Sequence, residues 1–192
     1  MTVKDGRVQF KNNWNPHPDD YGLRTQREIR IDKQPPGPMY RHLVSVAQLR
    51  TMLGLLPDWD EAAIGLDAVI LDAGQWDTMG WHLPRRIAIS AWNRELWWEW
   101  DARGFIDEHR DVLDLLAVET MPVDNRIEIR WTEAQARAFQ LLHILPHELG
   151  HHHDRMTTRS RRDTARGESY AEEYALRVLD KVWPVYGEHF EL

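Results

Sequence analysis

The segment TEAQARAFQLLHILPHELGHHHDRM, residues 132–156, constrains the fold more than any other part of the chain. Thr132 followed three residues later by Gln135 is a capping-box start for a helix. Ala138, Leu141, Leu142, Leu145 and Leu149 then supply an apolar stripe that must be buried. His147 and His151 are four residues apart, so they stand one turn apart on one helix face. Pro146 interrupts the run. Inside a helix it removes a backbone donor and clashes with the carbonyl of Leu142, so it kinks the helix or splits it in two.

The rest of the chain has to bury that stripe. With 192 residues, of which 42% are hydrophobic and ten are tryptophan, it can form one domain with a real core and is too apolar to be disordered. No repeat or linker divides residues 1–192. The first forty residues, with NWNPHPDDYG and DKQPPGPMY, read as an extended arm with a short strand near Arg27 to Ile31. Leu43 to Leu53 has helical spacing, with Ser45 as cap and Gly54 and Pro57 as the end. Ala68 to Leu71, RRIAISAW and RIEIRW read as strands. RELWWEWDARGFIDEHRDVLDLLAVE reads as mostly helical with a break near Gly104, and ESYAEEYALRVLDKVW as a last long helix ended by Pro184 and Gly187. Strands followed by two packed helices make an α+β layout.

There is no cysteine, which excludes disulfides, thiolate zinc sites and a Cys nucleophile. A metal site must use His, Asp or Glu. His147-Glu148-Leu149-Gly150-His151 is an H-E-x-x-H pattern. Both imidazoles can reach one ion at ~2.0–2.1 Å, and Glu148 can reach water beside it. A catalytic zinc site usually has a third protein ligand. Glu168 lies 17 residues after His151, far enough for a helical hairpin to turn back. Glu172, one turn on, would orient a ligand histidine through its other ring nitrogen; the reverse assignment of these two is the alternative. The expected chemistry is hydrolysis with Zn2+ as cofactor and Glu148 as general base. Tyr170, Tyr174 and His153 are candidate donors to the developing oxyanion. His143 reads as a buried histidine rather than a fourth ligand, and His152 and His153 as surface or supporting groups.

The HELGH helix and the GESYAEEYA helix resemble the gluzincin clan of zinc metallopeptidases, above all minigluzincins and bacterial anti-repressor and stress-regulator metallopeptidases. The shared pattern E-x-x-A-x-x-aromatic-A falls on Glu168, Ala171, Tyr174 and Ala175. The resemblance spans about Thr132 to Leu179 and implies Glu168 as the metal ligand. It also implies a compact zincin-like domain, with a small mixed sheet packed on the H-E-x-x-H helix and the following Glu-bearing helix. A peptide or protein substrate would align along an edge strand, either RRIAISAW or RIEIRW. Two departures stand out. Glu172 replaces the aspartate-type partner of larger gluzincins. The metzincin extension is absent, because Asp154 and Thr157 stand where it needs Gly and His.

A net charge of −7 argues against a dedicated nucleic-acid binder. The arginines Arg155, Arg159, Arg161, Arg162 and Arg166 read as a solvated loop rather than an anion site. No leader and no run of ~18 apolar residues is visible, so a cytoplasmic protein with no membrane partner is expected. Trp92, Trp97, Trp98 and Trp100 read as core more than as an exposed groove. Two rival functions remain: a regulatory or non-catalytic metal-binding protein, and an interaction module using a Trp-rich surface.

Overall fold

The computed structural model describes residues 2–4, 7–9, 29–74, 78–98, 101–158 and 166–192. Strands β1 (Thr2–Lys4) and β2 (Arg7–Gln9) pair with each other. β3 (Arg30–Lys33) and β4 (Tyr40–Arg41) precede α1 (Val46–Leu55) and the short α2 (Trp59–Ala62). β5 (Ala68–Asp72), β6 (Gly80–Leu83), β7 (Arg86–Ser90), β8 (Trp92–Asn93) and β9 (Trp97–Trp98) lead to α3 (Arg103–Leu115). The hairpin β10 (Glu119–Val123) and β11 (Arg126–Arg130) follows. The chain ends with α4 (Glu133–Phe139), a π turn at Gln140–Ile144, α5 (Leu145–Thr157) and α6 (Gly167–Tyr186).

This is the α+β arrangement expected, with a mixed main sheet. Its order is β3-β5-β7-β6, with β3, β5 and β7 parallel and β6 antiparallel at the outer edge. α5 packs on β6 and β7. Ile87, Ala88, Ile89 and Ser90 are all buried, because β7 is covered on both faces and loses the in–out alternation of a half-exposed strand. On the face away from the main core, Trp81 packs over Ala68, Ile70 and Ala88. A second sheet has the order β10-β11-β9. Among the described residues, no helix is long and apolar enough to cross a membrane.

Four expectations change. RRIAISAW and RIEIRW are not edges: β7 lies between β5 and β6, and β11 between β10 and β9. The outer strand beside α5 is β6, from a segment with too few apolar positions to signal a strand. Trp97 and Trp98 are not helical, since they pair with Arg130 and Ile129, as aromatic residues favour; Glu99 and Trp100 lie outside the described residues. Gly104 sits in the first turn of α3 without breaking it. The non-helical residue is His109 (φ −115, ψ 18), whose Nδ1–H donates to the Phe105 carbonyl at 2.9 Å. Finally, the arm contributes β3, which extends past Ile31 to Lys33; Arg27 and Glu28 lie outside the described residues.

Two capping boxes start helices where expected, Ser45 with Gln48 and Thr132 with Gln135. Pro146 does not bend a continuous α-helix. The chain widens instead into one π turn, in which the Leu145 N–H reaches the Gln140 carbonyl five residues back. The Gln140 side-chain amide donates to the Ser90 carbonyl at 2.6 Å and ties this turn to the end of β7. Trp92, Trp131 and Phe139 form an aromatic core beside it, with centroids 5.2 Å apart for Trp92–Trp131 and Trp131–Phe139.

α5 and α6 cross at Gly150. A Cβ added there would lie 2.8 Å from Ala171 Cα and 3.1 Å from its carbonyl oxygen. Backbone cannot yield as a flexible side chain does, so Gly150→Ala forces the helices apart. The expected cost is about 1–3 kcal/mol in denaturant titration. Gly54→Ala is the control. Its added methyl meets open space in α1, so it should be neutral or stabilise by about 0.5–1 kcal/mol.

Candidate metal centre

The crossing brings the start of α6 to the histidine face of α5. Nε2 of His147 lies 3.2 Å from Glu168 Oε2, and Nε2 of His151 lies 3.3 Å from the same oxygen. The three donor atoms therefore converge and, within 4.8 Å of one another, could hold a metal ion. The Glu168 side chain is 82% exposed, so the point of convergence opens to solvent. Glu172, one turn further along α6, stands behind His147. Its Oε2 is 3.2 Å from Nδ1. A carboxylate only accepts, so each contact calls for an N–H, and a neutral ring can supply only one; a proton on Nδ1 toward Glu172 is the arrangement that would leave the Nε2 lone pair for an ion. Glu168 thus stands beside both histidines and Glu172 behind His147. The Nδ1 of His151, by contrast, is buried without a hydrogen-bond partner among the described residues.

Glu148 points from α5 toward β6. It is only 8% exposed, and a side chain at Gly80 would come within 2.7 Å of its Oε1. Burial, reinforced by the Glu168 charge and opposed by His147, pushes its carboxyl up to about 7. Burial alone would lower His147, but Glu172, Glu148 and Glu168 outweigh it and raise the ring. His151 goes down, chiefly through burial. Glu172 would be raised by burial, but His147 and His143 hold it below the usual glutamate range.

The other candidates sort themselves by contact. His143, in the π turn, is buried as expected; burial lowers it to about 4, and its Nε2 is 3.6 Å from Glu172 Oε2. His152 is not at the surface. It is fully buried, and its Nε2–H donates to the Ile64 carbonyl at 2.9 Å. His153, Tyr170 and Tyr174 are brought together with one another. Tyr170 Oη is 2.7 Å from His153 Nδ1, and the Tyr174 and His153 rings are 5.4 Å apart. His153 follows His151 by two residues, which turns it about 200° around the helix, so this group faces away from the converging donors. Arg159, Arg161 and Arg162 lie outside the described residues. Trp92 is core, whereas Trp97 is 40% exposed.

Sequence reasoning missed two supports. His82, on β6, stacks at 6.2 Å on His151. It shares the α5-facing side of the strand with Gly80, and only this short Gly-x-His alternation in MGWHL could have signalled it. Asp154 is the second. Its buried carboxylate accepts from the backbone N–H of Arg166 at 2.8 Å and of Gly167 at 3.3 Å, and from Arg166 Nε at 2.6 Å. The end of α5 thus fixes the start of α6, two residues before Glu168. Arg166 also lies 3.7 Å over the Tyr170 ring, so this arginine is engaged within the domain.

No family model, curated protein or solved structure matches this chain. The site therefore has to be read from its own geometry.

Burial would raise the Asp154 carboxyl, but Arg166 and the two amides outweigh it and hold it below the ordinary range. Since the folded carboxyl ionises below the unfolded one, its stabilisation is complete above the unfolded pKa of about 4 and fades as pH falls through the folded value. Asp154→Asn should cost about 2 kcal/mol at neutral pH. Denaturant titrations across pH should show the gap to the parent protein closing in acid.

Proposed function

We propose that the protein is a zinc-dependent hydrolase, and within that class a metallopeptidase of gluzincin type acting on a peptide or protein. The observation that carries this reading is the convergence of His147 Nε2 and His151 Nε2 on one Glu168 oxygen, at 3.2 and 3.3 Å. Two imidazoles from adjacent turns of α5 and a carboxylate from α6 are a donor set suited to zinc, with a position left toward solvent. His147, His151 and Glu168 would hold the ion. When bound, zinc supplies the charge that brings the pKa of water to about 7 and polarises a carbonyl.

The remaining work falls to the chain. Glu148, with a carboxyl near neutrality, takes a proton from water and returns it to the leaving amine. The bond to Glu172 fixes the His147 ring and its tautomer. Gly80 lets β6 pass close over Glu148. Because β6 is the outer strand of its sheet, an extended peptide pairing along it would carry its backbone past that carboxylate.

Metal analysis after dialysis against Zn2+ should find one zinc per chain. His147→Ala and Glu168→Ala should lose it. Glu148→Gln should keep it while peptide hydrolysis falls about 10²–10⁴-fold. Undiminished hydrolysis in Glu148→Gln would refute the base assignment, and a parent protein free of zinc would refute the metal centre.

A further inference from the structure

Glu172 is partly open to solvent, with a side chain 33% exposed. A glutamate so placed loses rotamer freedom when it is held on one ring nitrogen. Something must keep it from turning outward. The second group facing it is His143. The same Oε2 that lies 3.2 Å from His147 Nδ1 lies 3.6 Å from His143 Nε2. His143 itself has little freedom. It is 1% exposed, with its ring packed against Phe139 at 5.1 Å and edge-on to His109 at 4.9 Å. His109 is in turn anchored to the Phe105 carbonyl.

We propose that His143 is a positioning residue for the metal centre: it holds the Glu172 carboxylate on Nδ1 of His147, so that Nε2 keeps its lone pair for the ion. This rests on the metal-centre reading above. An N–H of His143 turned toward a carboxylate is attractive, whereas the other tautomer would set lone pair against lone pair. The support runs from α3 through His109 and His143 to Glu172 and His147, across four elements: α3, the π turn, α6 and α5. The atoms His143 Nε2, His147 Nδ1 and a Glu172 oxygen also lie close enough to hold an ion of their own. That use would take from His147 the N–H that Glu172 accepts, so an ion there and the tether exclude each other.

A double-mutant cycle on Zn2+ affinity, measured by chelator competition, tests the tether. Glu172→Gln should weaken binding about 10–100-fold and His143→Leu about tenfold. The double variant should bind no more weakly than Glu172→Gln alone, because His143 acts through Glu172. His143→Gln, which keeps a donor, should recover most of the loss. A metal-free readout accompanies it: the ring 15N shifts of His147 at a pH where the ring is neutral. These should place the proton on Nδ1 in the parent protein and spread it over both nitrogens in His143→Leu. Additive losses, or an unchanged His147 tautomer in His143→Leu, would overturn the proposal. So would a second zinc per chain that His143→Leu removes. If the parent protein takes up no Zn2+, the metal-centre reading fails, and the ring shifts alone decide whether His143 positions Glu172.

Discussion

At Gly150 the α5 helix has no side chain, and the backbone of Ala171 on α6 occupies the space. That approach sets the separation of the two helices at the level of His151, and so decides whether a carboxylate at the start of α6 can reach imidazoles on α5. Asp154 fixes the other coordinate by holding the first residues of α6. The same device recurs across α5, where Gly80 lets β6 press on Glu148 and Ile144. His147, Glu148 and His151 thus sit on a helix held from two sides at glycines. Their directions are set by packing rather than by loops.

The charges around His147 suit a grouping that could hold a cation. Glu148, Glu168 and Glu172 surround His147, and their charges drive its ring upward despite burial. Glu148 holds its proton up to about 7 chiefly because it is buried, with the Glu168 charge adding to the rise against His147. The histidine takes up part of the imbalance when it is protonated. A divalent ion at the converging donors would offset more of it and leave Glu148 freer to exchange a proton, which is the condition a general base requires.

Local pattern made part of this visible in the sequence. The Thr132–Gln135 capping box, the Leu141–Leu149 stripe and the four-residue spacing of His147 and His151 all follow from helix periodicity. Glu168 and Glu172 could be named because the following helix is long and regular. The missing pieces are contacts between distant segments. Nothing near Gly80 announces that it lies over Glu148, sixty-eight residues later. Asp154 looked only like a mismatch to a metal motif, although it caps the next helix. Pro146 signalled a disturbance, but not that a π turn would absorb it. The Trp97–Trp98 strand was hidden because its pairing partner, β11, comes about thirty residues later. Tyr170 and His153 were plausible donors by residue type, but their positions on the helices turn them toward each other.

The central claim is that His147, His151 and Glu168 together hold one metal ion with a position open to solvent. X-ray absorption at the zinc edge of the loaded protein examines that coordination directly. The account predicts a first shell of about four light atoms near 2.0–2.1 Å with outer-shell scattering from two imidazoles. Scattering from three or more imidazoles would contradict it, and so would scattering from none.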